Sequence, residues 1–92
     1  MKEEFYVISF ESTHYAMMIE KRLKEKFKTD MIPTPRSITA SCGLSLKIGM
    51  NLMKDVVRSL KVTNMDSAMF HLYKIRKTER GDEVTALNWE EL

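Results

Sequence analysis

The run Phe5-Tyr6-Val7-Ile8-Ser9-Phe10 constrains this chain most. It is rich in β-formers and apolar on nearly every residue. A strand of that kind is buried on both faces and belongs at the centre of a sheet. The rest of the chain must then supply neighbours on each side and cover above and below.

The later patterns supply them. Ser12 or Thr13 can cap a helix, and Ala16, Ile19, Leu23 and Phe27 follow at helical spacing, which predicts a helix ending near Lys28. Thr29 to Thr34 reads as a short strand that stops at Pro33 and Pro35. Leu44, Leu46 and Ile48 alternate with Ser45 and Lys47, the pattern of a half-buried strand. Gly49 breaks it, and Asn51 can cap a second helix with an apolar stripe of Leu52, Met53, Val56, Val57 and Leu60. Phe70 to Ile75 reads as a further strand. The order β-α-β-β-α-β predicts an α+β, two-layer sandwich of the ferredoxin-like type. One domain, 1–92, is expected, with a core over 4–76 and an extension over 77–92. In that extension Glu79-Arg80-Gly81-Asp82 reads as a turn leading to an extra strand, with a short helix over Ala86 to Leu92 as the alternative.

A chain of 92 residues has little stability margin, and its single cysteine forms no internal disulfide. A reducing, cytoplasmic location is therefore expected. No signal-peptide pattern and no apolar stretch of bilayer-spanning length occurs, so no membrane association is expected. Net charge is +2, with acids and bases interleaved around Glu20 to Lys26, which reads as a self-paired helix face and not a nucleic-acid footprint. His14, His71 and Cys42 are too few and badly spaced for a zinc site, and no cofactor motif is present. Several of the methionines fall at core positions and read as gap-filling residues, with a loose interface as the second reading.

Reactive chemistry concentrates in one segment, Ile32-Pro33-Thr34-Pro35-Arg36-Ser37-Ile38-Thr39-Ala40-Ser41-Cys42-Gly43. In the expected topology the first and third strands are adjacent and antiparallel. The end of the first strand, the start of the first helix and the close of this loop then meet. Ser12, Thr13 and His14 are thereby expected beside Arg36, Ser41, Cys42 and Gly43. A helix N-terminus and the Arg36 cation would both favour a thiolate over a thiol, and the free N–H groups could hold an anion. Gly43 would leave room for a group approaching the sulfur and permit an unusual backbone angle. Cys42 is expected to be at least partly exposed. The bland reading is a small buried hydrophobe at a strand start.

Two segments, Phe10-Glu11-Ser12-Thr13-His14-Tyr15-Ala16 and Ile32-Pro33-Thr34-Pro35-Arg36 through Ser41-Cys42-Gly43-Leu44-Ser45-Leu46, resemble those of the small selenium/sulfur carrier-like family of bacterial and archaeal domains. The resemblance covers roughly residues 5 to 75, and the tail after Arg76 is longer than the family pattern. It implies that Cys42 carries sulfur or selenium as a persulfide or selenosulfide. It implies a carrier more than a stand-alone enzyme, with a donor enzyme and an acceptor protein as partners. The alternative is a small-ligand-binding or regulatory module with a structural Cys42. An RNA-binding module is disfavoured, because Leu44-Ser45-Leu46-Lys47-Ile48 lacks aromatics for base stacking. A homodimer is also expected. One sheet face would be left open, and since β1 is apolar on both faces, with Phe5 and Val7 on one and Tyr6, Ile8 and Phe10 on the other, it would need covering by a second copy or by the tail, folding Val84, Leu87 and Trp89 back over the sheet.

Overall fold

The computed structural model describes residues 3–38, 42–63 and 65–92. Among these, five strands and two helices follow the order β1 (Glu4–Phe10), α1 (Thr13–Lys24), β2 (Asp30–Pro33), β3 (Leu44–Gly49), α2 (Met53–Val62), β4 (Phe70–Thr78) and β5 (Gly81–Leu87). The fold is α+β. The strands form one antiparallel sheet in the order β2-β3-β1-β4-β5. The doubly apolar β1 is central, with Ile8 opposite Leu46 on one side and Leu72 on the other.

Helix α1 starts at a cap that its sequence supplies. Ser12 is extended, and its Oγ accepts from the Tyr15 N–H at 3.1 Å. Ala16, Ile19 and Leu23 are buried, and Lys21, Arg22 and Lys24 complement the negative end of the helix dipole. The helix stops at Lys24, short of Lys28, because the N–H groups of Lys26 and Phe27 both close on the Leu23 carbonyl. Helix α2 buries Met53, Val56, Val57 and Leu60, but Asn51 does not cap it. The Leu52 N–H closes a turn on the Gly49 carbonyl at 3.1 Å, so Leu52 takes the cap position without a side-chain bond.

The extension forms the expected extra strand, and the alternative helix over Ala86 to Leu92 is reduced to one short turn. Strand β5 pairs along β4 through a turn at Glu79-Arg80, and a short 3-10 turn, Trp89–Glu91, follows under an Asn88 cap. Gly81 closes the hairpin with φ +121°, a conformation that side-chain-bearing residues rarely adopt. The Thr78 hydroxyl donates to the Gly81 carbonyl at 2.6 Å.

Alternation along β1 divides the core in two. Ile8 and Phe10 join Leu46, Ile48, Leu72 and the buried faces of α1 and α2. Phe70 sits between Tyr15, stacked at 6.5 Å, and Trp89, edge-on at 5.1 Å. On the opposite face Phe5, Val7 and Ile75 form a smaller cluster. That face is not left open as expected. Ile38, from the loop after Pro35, is buried against it, and Val84 of the tail packs at its edge. Leu87 and Trp89 pack on the helix side instead. Lys47 and Lys77 lie over the Phe5 ring at 4.6 and 6.0 Å. Glu3 bonds Lys47 at 3.0 Å, and this bond and charge, with a smaller share from Lys77, hold its carboxyl below the usual range.

Candidate functional site around Cys42

Cys42 lies where β1 ends and α1 begins. Its N–H donates to the Phe10 carbonyl at 3.2 Å, and its carbonyl accepts from the Thr34 hydroxyl at 3.0 Å. The Thr34 N–H in turn donates to the Gly43 carbonyl at 2.9 Å. Both backbone polar groups of Cys42 are thus fixed, one by β1 and one by the residue that follows β2.

Among the described residues the sulfur has two polar neighbours. The Thr13 hydroxyl lies 3.5 Å from Sγ, and the Leu44 N–H donates to it at 3.4 Å. Residues far apart in the chain meet here through the antiparallel pairing of β1 and β3, which sets Ser9 opposite Ser45. The thiol is nevertheless covered. Cys42 is 4% exposed and belongs to the helix-side core with Phe10, Ala16 and Leu46. The expectation of a partly exposed thiol is therefore corrected. The side chain turns inward beneath the start of α1, as a free cysteine behaving as a small hydrophobe does.

The other expected site residues divide. Thr13 touches the sulfur, while Ser12 is engaged in capping. His14 is exposed on the first turn of α1 and makes no hydrogen bond or ion pair among the described residues. Arg36 is exposed in a turn closed by the Ile38 N–H on the Pro35 carbonyl at 3.0 Å, and it makes no polar contact with Cys42. Ser41 lies outside the described residues. Gly43 is exposed, and no described residue beyond its chain neighbours lies within 4 Å of where a Cβ would stand. Its backbone is not left-handed: Gly81 is the positive-φ glycine among the described residues.

Four residues of the site do not stand out in the sequence. Thr34 bonds Ser45 Oγ at 2.7 Å as well as the Cys42 carbonyl, so one hydroxyl links the loop to β3. Ser45 is fully buried, as is Ser9 opposite it, whose Oγ has no hydrogen-bond partner among the described residues. Ile38 anchors the loop on the far face of the sheet. The available signals were a serine in each of two neighbouring apolar strands and one isoleucine in a polar loop.

Among the described residues no group of His, Cys, Asp and Glu is arranged to hold a metal ion. No helix among them is long and apolar enough to cross a membrane. Residues 5–71 match the protein family described as "Putative Se/S carrier protein-like". No curated protein and no solved structure matches the chain.

Proposed function

The chain belongs to the Se/S carrier protein-like family, and from that premise we propose that Cys42 is the atom that bears the cargo. It accepts sulfane sulfur or selenium from a donor enzyme and passes it to an acceptor protein. In the sulfur case the Cys42 sulfur attacks the outer sulfur of a donor persulfide. The Cys42 S–S bond forms, the donor S–S bond breaks, and the donor leaves as its thiolate. The proton of the Cys42 thiol goes to solvent, and no net oxidation occurs. Release to an acceptor thiol is the same exchange in reverse.

The observation that carries this reading is the pair of polar groups at the sulfur of the chain's single cysteine. The Leu44 N–H and the Thr13 hydroxyl could both hold an anionic persulfide or selenosulfide. Gly43 is exposed and uncrowded by the described residues, which supports access from solvent once the thiol turns outward. His14 and Arg36, exposed and without polar partners among the described residues, could receive the donor's surface. The strand order β2-β3-β1-β4, with β5 appended, supports reading the framework as ferredoxin-like.

The burial of Cys42 favours a second reading, a ligand-binding or regulatory module in which the thiol is structural. Carriage requires the loop to open. The two readings separate on exposure of the folded protein to glutathione persulfide, followed by peptide mass mapping and cyanolysis. Carriage predicts one added sulfur on Cys42, recovered as thiocyanate and absent in Cys42→Ser. A folded protein that takes up no sulfur supports the structural reading. The proposed homodimer has lost its main motive, since the chain's own Ile38 packs on the second face. Sedimentation of the full chain tests it.

A further inference from the structure

A groove of about 870 Å³ runs along α2 and begins at Met50, at the opposite end of β1 from Cys42. Cys42 bonds Phe10 at the end of β1, whereas Met50 follows Gly49, which pairs with Phe5 at its start. Five residues of strand separate the two, roughly 17 Å.

The groove is apolar along its floor and cationic along its length. Met50, Met53, Val57, Val62 and Leu92 supply the apolar lining. Met50 is 39% exposed, Leu92 43% and Val62 81%. Lys54, Arg58 and Lys61 also line it, and no acidic side chain among the described residues does. Lys54 and Arg58 make no ion pair among the described residues, and Lys61 lies over the Trp89 ring at 5.4 Å. The cause is visible in the sequence of α2. Its inner stripe is spent on the core, and a second row, Lys54, Arg58 and Lys61, recurs at i, i+4 and i+7.

That spacing decides the occupant. The three cations spread over about 10 Å of helix rise, along the trough and not at one end. An amphiphile with one anionic head would meet one of them and leave the others unmatched. A helix laid in the trough, with apolar residues inward and acids at the same helical interval, would meet all three. Methionine at the mouth suits such a surface, because its side chain adapts to the partner's shape.

We propose that this groove is a docking site for an acidic amphipathic helix of a partner protein. The site is independent of Cys42 chemistry, so its failure and the failure of the carrier reading are distinguishable.

The probe is a fluorescently labelled peptide of about four helical turns, with leucines on one face and glutamates at i, i+4 and i+7. Its anisotropy is titrated with the full chain and with Cys42→Ser, which should bind alike. The double variant Lys54→Glu/Arg58→Glu should bind at least about tenfold more weakly. A peptide carrying lysines in place of the glutamates should show the reverse preference. Circular dichroism checks that both proteins are folded, and a single Arg58→Gln variant, expected to weaken binding more mildly, serves if the double variant is not. The proposal is overturned by absence of saturable binding, or by binding unaffected by charge reversal. It is overturned equally if dodecanoate shifts the Met50 and Met53 methyl resonances while the peptide does not, which would make the groove a lipid site. Concentration-dependent dimerisation abolished by the same variants would make it a self-association surface and would also overturn it.

Discussion

The two faces of the sheet are covered by different means. On one face, two helices bury Ile8, Phe10, Leu46, Ile48 and Leu72 in a continuous core. On the other, Phe5, Val7 and Ile75 are met by Ile38 from the loop, with Ile32, Tyr73 and Val84 packed against them and the Lys47 and Lys77 ammonium groups over the Phe5 ring. The first cover is regular structure with many partners. The second centres on one buried side chain, Ile38, four residues before Cys42 in the chain. Ile38 lies on one face of the sheet and Cys42 on the other. The part of the molecule proposed to do chemistry thus adjoins the less regular of the two covers, where local opening is expected to be easiest.

The sharpest way to break this comparison is to truncate one residue on each face. Leu46→Ala removes a fully buried side chain from beneath the helices, and a loss of about 2–5 kcal/mol in urea unfolding is expected. Ile38→Ala should cost toward the lower end of that range, about 2 kcal/mol, because an irregular loop can settle into the space. It should also raise the rate at which iodoacetamide labels Cys42 in the folded state, which Leu46→Ala at matched stability should not. Equal labelling in the two variants would mean that the loop has no independent motion.

A smaller effect sharpens the same point from within the loop. Thr34→Val removes the hydroxyl that bonds both the Cys42 carbonyl and Ser45 Oγ. A stability loss of about 1–2 kcal/mol is expected, together with faster Cys42 labelling. An unchanged labelling rate would assign Thr34 to folding alone.

The smallest effect lies on the Lys47 side of the second face. The Glu3 carboxyl is held below the usual range, first by its hydrogen bond to Lys47. Its contribution is present above the ordinary carboxylate range and is lost as pH falls through the depressed folded value. Glu3→Gln should therefore flatten the acid limb of the stability–pH curve slightly and leave neutral pH nearly unchanged, since the pair is exposed. A large loss at neutral pH would show that this face depends on the ion pair more than on Ile38.

What was legible beforehand follows the same division. Periodicity located β1, the buried stripes of α1 and α2 and the extra strand, because within a regular element it reports which residues face a core. The pairing of β1 with β3 also followed from element order, and it brought Thr13 to Cys42. An irregular loop has no period. Nothing in the row Arg36-Ser37-Ile38 tells which side chain turns to the sheet, and there Ile38 is buried while Arg36 is exposed. The inward turn of Cys42 was hidden for the same reason. Asn51 misled as a cap because the turn closed by Gly49 and Leu52 moves the helix start one residue further on.

Access to Cys42 through a local opening of the folded protein separates a carrier thiol from a structural one. The direct measurement is the rate of Cys42 persulfidation by glutathione persulfide as urea is raised through concentrations well below the unfolding transition. Local opening predicts a rate nearly independent of urea there, and faster than the equilibrium fraction of unfolded chains allows. A rate that rises with urea in step with the globally unfolded fraction would contradict it, and would leave Cys42 a structural thiol of the helix-side core.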